Sequence, residues 1–468
     1  MPPLNTLAGE YRALVRIAWP MLIAQLAQTG TGVVDTIMAG RYSPLDLAAI
    51  AIGYNIWLPL YLLFIGIMLG ATTIIAQDYG AGRRQRIRDC LPQSLWLAVV
   101  LGLAVAPLCY FAGPLLDLLS LDGETHSRSL GYLQAVAFGL PAAAIFQALR
   151  CHTQGIGILR PFAIASVIGF IANIPLNYAF IYGKWGAPEL GAVGCGWATA
   201  ISLWLGPVLI SIYMARAKHL RAYLPPLRLV APHWPIQREI LRLGLPMGLS
   251  FFLEIAVFSV IALMIATMGN TAIAAHQIAT NVWDVVYMML VSIGSAMATR
   301  VGHAIGAQDR GAVGLAFTCG ASTIAVLGLT FMLVLLLVPG AIIGTYTQDA
   351  GIHHIASGLI GLAALFILID ATQITTTFTL RAFKDTLFPF VVLCSAYWFV
   401  TLPLGAWLGL VQADNPQEGT MGFWKAMILG VAISTVILVR RLVARLSRPL
   451  SPMDPDQTGN TTVSPQRQ

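Results

Sequence analysis

Three carboxylates stand inside apolar stretches that are long enough to cross a bilayer. Glu254 lies in the run from Leu243 to Met268. Asp35 and Asp370 occupy two other apolar runs. A lone carboxylate at mid-bilayer depth costs at least about 2.5 kcal/mol even on permissive insertion scales, so it is retained for function or for pairing. We therefore expect all three side chains to face a cavity.

Glu254 and Asp370 both fall near the middle of their runs, so one cavity can bring them close together. Two carboxylates in a low-dielectric site repel each other, and one shared proton relieves that repulsion. Such a pair suits proton exchange. The same two carboxylates are also a candidate Na+ site.

Polar and aromatic residues accompany this pair. Three polar residues recur at i, i+4 and i+7 and should share one helix face: Gln277, Asn281 and Asp284. Aromatic and polarisable surface is supplied by Phe258, Phe366 and Met288. Helix packing is the alternative interpretation of the Phe and Met side chains. Together with carboxylates, they favour a binding site for bulky organic cations through cation–π contact and charge pairing.

A second oxygen-rich group is predicted around Asp35. Asn173 and Asn177 share a helix face at i and i+4, at a depth similar to that of Asp35. Thr199 in the next span reaches roughly the same level. Such oxygens suit a proton or a small hard cation, and Asp35, Asn173 and Asn177 form the candidate Na+ ligand set. Hydrogen bonding between helices is the alternative role of the Asn and Thr side chains.

The composition predicts the elements that must position these groups. Of 468 residues, 57% are hydrophobic and 10% are charged, and the mean hydropathy is +0.76. These values exclude a soluble domain and indicate an all-α polytopic membrane protein. Twelve transmembrane helices are expected at 15–39, 47–77, 92–115, 129–150, 161–182, 192–215, 240–268, 273–299, 312–345, 353–380, 387–411 and 420–440.

The twelve spans form two copies of six. At a shift of 226 residues, Pro20 and Met21 match Pro246 and Met247. The same register continues through a longer set of identities in which Ala48, Asn55, Trp57 and Gly80 match Ala274, Asn281, Trp283 and Gly306. Because each copy has an even number of spans, the repeat is parallel and predicts two lobes related by an axis along the membrane normal.

A proline-rich break between Ala215 and Glu239 separates the copies. We therefore expect an N-terminal lobe and part of the linker at 1–225, a C-terminal lobe at 226–450, and a disordered tail at 451–468. The formal charge of +7 is concentrated in alternate loops, with Arg228, Arg300 and Arg381 among the counted cations. By the positive-inside rule both termini are cytoplasmic, so the charge is an orientation signal and not a nucleic-acid footprint.

Several motifs resemble the multidrug and toxic compound extrusion family, and its NorM branch in particular. They are Trp19-Pro20-Met21, Val34-Asp35-Thr36-Ile37-Met38-Ala39-Gly40, Gly191-Ala192-Val193-Gly194-Cys195-Gly196 and Leu380-Arg381-Ala382-Phe383-Lys384-Asp385. The resemblance implies cation-coupled export of organic cations through a V of two lobes in a bacterial inner membrane. It further implies coupling roles for Asp35, Glu254 and Asp370 and a drug cavity lined by Phe258 and Gln277. We expect no cofactor besides a coupling ion, and function as a monomer.

One departure leaves the coupling ion open between H+ and Na+. Sodium-using members are expected to carry a Tyr one turn before the last carboxylate, where this sequence has Phe366. Two alternative functions are a lipid-linked oligosaccharide flippase and a membrane-embedded enzyme. A flippase should place several Arg or Lys in its cavity, whereas the intramembrane charges identified in this sequence are acidic. An enzyme needs a nucleophile with a base, or a metal cluster, and neither pattern is visible.

Overall fold

The fold is taken from a computed structural model that describes residues 6–119, 121–225 and 230–450. The predicted tail at 451–468 and Arg228 lie outside these residues. Every regular element in the described ranges is helical, which confirms the all-α fold class.

Eight helices build the first half of the chain. They are α1 (Leu7–Tyr42), α2 (Pro44–Gly80), α3 (Arg84–Tyr110), α4 (Gly113–Asp117), α5 (Gly123–Ala137), α6 (Leu140–Gly155), α7 (Arg160–Tyr182) and α8 (Ala192–Arg216). A short 3-10 helix, Lys218–Tyr223, leads into the linker. The second half begins inside the predicted break, at Trp234.

Eight further helices build the second half. They are α9 (Trp234–Ala266), α10 (Asn270–Gly306), α11 (Arg310–Leu337), α12 (Pro339–Gly344), α13 (Ala350–Ala382), α14 (Leu387–Ser395), α15 (Leu402–Ala406) and α16 (Pro416–Ser447). A π-helical turn, Ala396–Thr401, joins α14 to α15, and a second, Trp407–Val411, continues α15 to the end of one span, Leu387–Val411.

The described helices fit the predicted pattern of twelve crossings. Ten are long and apolar enough to span a bilayer, and α5 with α6, bent by 42°, make an eleventh. At 36 residues α1 is also long enough, but Gln25, Gln28 and Thr29 near its middle make it less apolar. With α1 counted, the described helices are consistent with twelve crossings, and both described chain ends lie at the same end of the bundle.

The two halves meet at that end, which we call the closed end. Glycines allow the backbones to touch, because a Cβ atom at Gly80 would collide with the carbonyl of His303. A Cβ atom at Gly306 would collide with the carbonyl of Gln77 in the same way. Both pairs differ by the 226-residue shift of the repeat, so the two contacts are related by the predicted parallel two-fold relationship.

Ion pairs strengthen the closed end. The buried Arg300 of α10 pairs with the buried Glu10 of α1. Nearer the surface, Glu239 of α9 accepts hydrogen bonds from Arg86, at 2.6 Å, and from Lys384, at 2.7 Å. These contacts tie both halves together at one end of the bundle.

The opposite end is open. Among the described residues, Thr29 and Met288 make the hydrogen bond between lobes that is farthest from the closed end, with 3.5 Å between Oγ1 and Sδ. The other hydrogen bonds between the lobes and to the linker involve residues in the closed-end halves of their helices. The lobes therefore form a V whose apex is the closed end.

Candidate functional site

The residues predicted around Asp35 come together inside the first lobe. Asn177 Nδ2 donates to Asp35 Oδ1 at 2.5 Å and to Asn173 Oδ1 at 2.8 Å. Thr199 Oγ1 donates to Asp35 Oδ2 at 3.2 Å. Asp35 and Thr199 are each 6% exposed, and both Asn side chains are fully buried. The structure thus brings side chains of α1, α7 and α8 together at one depth, and their coupling role stays a prediction.

This cluster has hydrogen-bonding capacity left over. Asn177 Oδ1 and Asn173 Nδ2 are buried and have no hydrogen-bond partner among the described residues. A carboxylate, two amide oxygens and a hydroxyl therefore meet in one place, and this donor set fits a proton or a small hard cation. The residues that would hold a cation are Asp35, Asn173, Asn177 and Thr199.

Glu254 and Asp370 lie in the second lobe and have different surroundings. Asp370 is 4% exposed, and its Oδ2 accepts a hydrogen bond from Trp283 Nε1 at 3.1 Å. Glu254 is half-buried and has no hydrogen bond or ion pair within the described ranges. The two carboxylates are within electrostatic range but share no hydrogen bond. They are therefore neighbours rather than a directly bonded dyad.

Aromatic rings form a wall beside these carboxylates. Phe258 stacks on Trp283 with 5.0 Å between ring centroids and an interplanar angle of 19°. Phe366 meets the edge of Trp283 at 5.7 Å and 75°. Because Phe366 is only 1% exposed, it supports the wall from behind and presents no free surface in this conformation. Phe258, which is half-buried, is the better placed of the two for ligand contact.

The residues on the predicted polar face of α10 differ in solvent exposure along the helix. Gln277 and Asn281 are exposed, whereas Asp284 and Met288 are half-buried. Met288 lies against Thr29 of the first lobe, so this face descends from the open end toward the apex of the V. The predicted common helix face is consistent with this gradient.

Trp283 belongs to this candidate site although it was not predicted from the sequence. It matches Trp57 in the repeat, and Trp57 Nε1 donates to the hydroxyl of Tyr132 at 3.3 Å. Only in the second lobe does the matching indole bond a carboxylate. An indole that recurs at one depth in both copies marks a buried N–H donor, and that signal was present in the sequence.

Comparison with known proteins gives the family. The MatE family model matches residues 20–179 and 246–407, which are the two copies of the repeat. The chain belongs to the MatE family. It is 39% identical to the multidrug resistance protein PmpM of Pseudomonas aeruginosa, covering 94% of this chain and 92% of that protein. It is 36% identical to the multidrug resistance protein NorM of Vibrio cholerae, covering 92% and 95%.

The fold of this MatE chain is also that of known transporters. A solved outward-facing conformation of a multidrug resistance MATE family transporter aligns with a TM-score of 0.83 at 20% identity, over 95% of this chain and 97% of that chain. The predicted family resemblance is therefore confirmed. MatE proteins are transporters, so the alternative of a membrane-embedded enzyme is excluded.

Proposed function

We propose that this MatE chain is a multidrug efflux antiporter that exports organic cations in exchange for H+ or Na+ by alternating access. The observation that carries the proposal is Glu254. It is a half-buried carboxylate without a partner among the described residues, and it stands near an aromatic wall. A lipophilic cation supplies both the charge and the ring contact that this arrangement lacks.

Competition for the carboxylates of the second lobe couples export of the organic cation to entry of H+ or Na+. Glu254 and Asp370 bind a proton, a sodium ion or the organic cation, and binding of one weakens binding of the others. Phe258, Gln277, Asn281, Asp284 and Met288 extend the binding surface toward the open end, with Phe366 behind it. The multidrug resistance names of PmpM and NorM support this substrate class.

The Asp35 cluster is the proposed coupling site of the first lobe. Its oxygen donors are buried and already gathered around one carboxylate, so an incoming proton or Na+ needs little rearrangement. No cofactor besides the coupling ion is needed for this exchange.

Orientation follows from the charge distribution. By the positive-inside rule, the closed end faces the cytoplasm with both termini, and the structure is an outward-facing state. The lobes are 1–225 and 226–450, the membrane is the bacterial inner membrane, and a single chain contains every residue of the two sites and so acts as a monomer.

The flippase remains the second candidate, because the expectation of exclusively acidic intramembrane charges was wrong. Arg150 and Arg381 are buried within the bundle and have no ion pair among the described residues. They lie on aromatic faces, and neither is joined to a second cation that would form a pyrophosphate cradle. The antiporter is therefore favoured.

Proteoliposomes test the proposal. Purified protein is reconstituted, and uptake or release of an ethidium-like dye is followed while a pH gradient and a sodium gradient are imposed separately. Dye movement that either gradient drives supports antiport. Dye movement that is indifferent to both gradients and equal to protein-free vesicles contradicts it.

A further inference from the structure

Arg381 occupies an unexpected place in the structure. Its position after an apolar run predicts a loop cation, but it lies in the last turn of α13 and is 8% exposed. Helices α10 and α16 pack against α13, and Phe251 of α9 lies against the guanidinium. Arg381 is therefore part of the interior of the second lobe.

The guanidinium of Arg381 contacts two aromatic rings but forms no ion pair with a described carboxylate. Its Cζ atom lies 5.2 Å from the ring centroid of Phe251 and 4.7 Å from that of Phe378. Its Nη1 is buried without a hydrogen-bond partner, and no carboxylate of the described chain lies within ion-pair distance. Cation–π contact offsets only a small part of the cost of burying a charge, about 2 kcal/mol for two favourable rings.

An equally unpartnered charge lies nearby. Glu254 follows Phe251 by three residues on α9, so its side chain lies on the same helix face, about one turn from the ring that contacts Arg381. Tyr287 of α10 is the other titratable group in range of Arg381. Around Glu254 itself the titratable neighbours also include Asp370, Tyr397 and Cys394. Of the two titratable groups that act on Arg381, Tyr287 and Glu254, only Glu254 is a carboxylate.

We propose that Arg381 is a resident counter-ion that competes with the exported cation for Glu254. The inference rests on the proposed function of Glu254 as the cation site. When the organic cation leaves, the guanidinium moves off Phe251 and Phe378 and pairs with the carboxylate. When a new cation or the coupling ion arrives, the guanidinium returns to the aromatic faces. A tethered competitor of this kind weakens drug binding and speeds drug release.

Arg381→Gln removes the competitor while keeping a polar side chain of similar length. We expect the dissociation constant for a cationic dye to fall about tenfold, because the Coulomb interaction of two charges several Å apart in a protein is a few kcal/mol and only part of it is lost on competition. The dissociation rate of the dye should fall by a similar factor. Arg381→Lys keeps the charge and should stay within about twofold of the wild type.

Arg150 provides a matched control in the first lobe. It is 7% exposed, stacks on Phe162 at 4.7 Å and bonds Gln147 at 3.2 Å, but no carboxylate acts on it. Arg150→Gln should therefore leave cationic dye affinity unchanged. A neutral ligand of similar shape serves as a second control, because its affinity should not respond to Arg381→Gln.

The outcomes separate this inference from the proposed function. If the wild-type protein binds no organic cation, the proposed function fails. If it binds the dye, and Arg381→Gln leaves dye affinity unchanged or weakens it, the counter-ion inference alone is overturned. An equal effect on the neutral ligand would likewise assign Arg381 a structural role. If Arg381→Gln does not fold, Arg381→Met in the Glu254→Gln background removes both charges, and recovery of folding there supports the pairing while continued failure contradicts it.

Discussion

The guanidinium of Arg300 donates two hydrogen bonds to the carboxylate of Glu10, from Nε to Oε1 at 2.7 Å and from Nη2 to Oε2 at 2.6 Å. The two side chains are 2% and 3% exposed, and the pair joins α1 of the first lobe to α10 of the second. It is therefore a buried lock between the lobes at the closed end.

Glu10→Gln should weaken the closed end, because it leaves the buried Arg300 uncompensated at a cost of about 3 kcal/mol. Spin-label distances between Leu118 and Gln412, at the open ends of the two lobes, should shorten as the closed end separates. The double variant Glu10→Gln, Arg300→Gln removes both charges and should recover much of the wild-type distance. An unchanged distance in Glu10→Gln would show that the lock does not control opening.

Gly306→Ala should disturb the same end by a steric route. The added methyl group collides with the backbone of Gln77, which cannot move as a flexible side chain can. We expect transport to fall at least about tenfold, as misplacement of packed elements commonly costs more than 1.4 kcal/mol. Gly314→Ala in α11 is the control, since nothing lies within 4 Å of its Cβ position. Equal transport by both variants would contradict the close-contact account.

Asp35→Asn should uncouple the first lobe while preserving its shape. The amide keeps the size of the side chain and removes the charge, so transport driven by an ion gradient should fall at least about tenfold. Thr199→Val removes one hydrogen bond to the same carboxylate and should cost less, about threefold. Gradient-driven dye efflux in proteoliposomes measures both. A normal rate in Asp35→Asn would make the cluster a structural one.

Trp283→Phe should make protons stronger competitors at Asp370. The substitution keeps a ring beside Phe258 but removes the indole N–H that stabilises the ionised carboxylate. Because a hydrogen bond to a charged group contributes about 1.5 kcal/mol, dye affinity at neutral pH should fall about tenfold and recover at higher pH. Loss of affinity that is the same at every pH would instead indicate lost ring stacking.

Most of the fold was predictable from two strong signals. Hydropathy identifies each apolar span, and the 226-residue repeat pairs the two halves position by position. The two matches to the family model begin at residues 20 and 246, which are separated by the same 226 residues as the repeat. The Asp35 cluster was predictable for a related reason. Position along a transmembrane helix determines depth in the membrane. The sequence therefore places Asn177 and Thr199 at the depth of Asp35.

The remaining features depend on tertiary contacts that sequence position does not encode. Arg300 and Arg381 follow apolar runs and resemble loop cations, but α10 and α13 extend beyond those runs and neighbouring helices bury both side chains. Phe366 was predicted to line the binding surface, but it lies behind Trp283 and is only 1% exposed. Depth alone could not predict which face of each helix meets the cavity.

Binding of a cationic dye as a function of pH, at zero and at high sodium, tests most directly whether Glu254 and Asp370 exchange drug for a coupling ion. Protons neutralise carboxylates at low pH, so dye affinity should rise with pH, by up to about tenfold per unit where one proton is released per bound cation. Glu254→Gln or Asp370→Asn should flatten this dependence. Affinity that depends on sodium but not on pH would replace proton coupling with sodium coupling. Wild-type affinity that is indifferent to both pH and sodium would contradict the account.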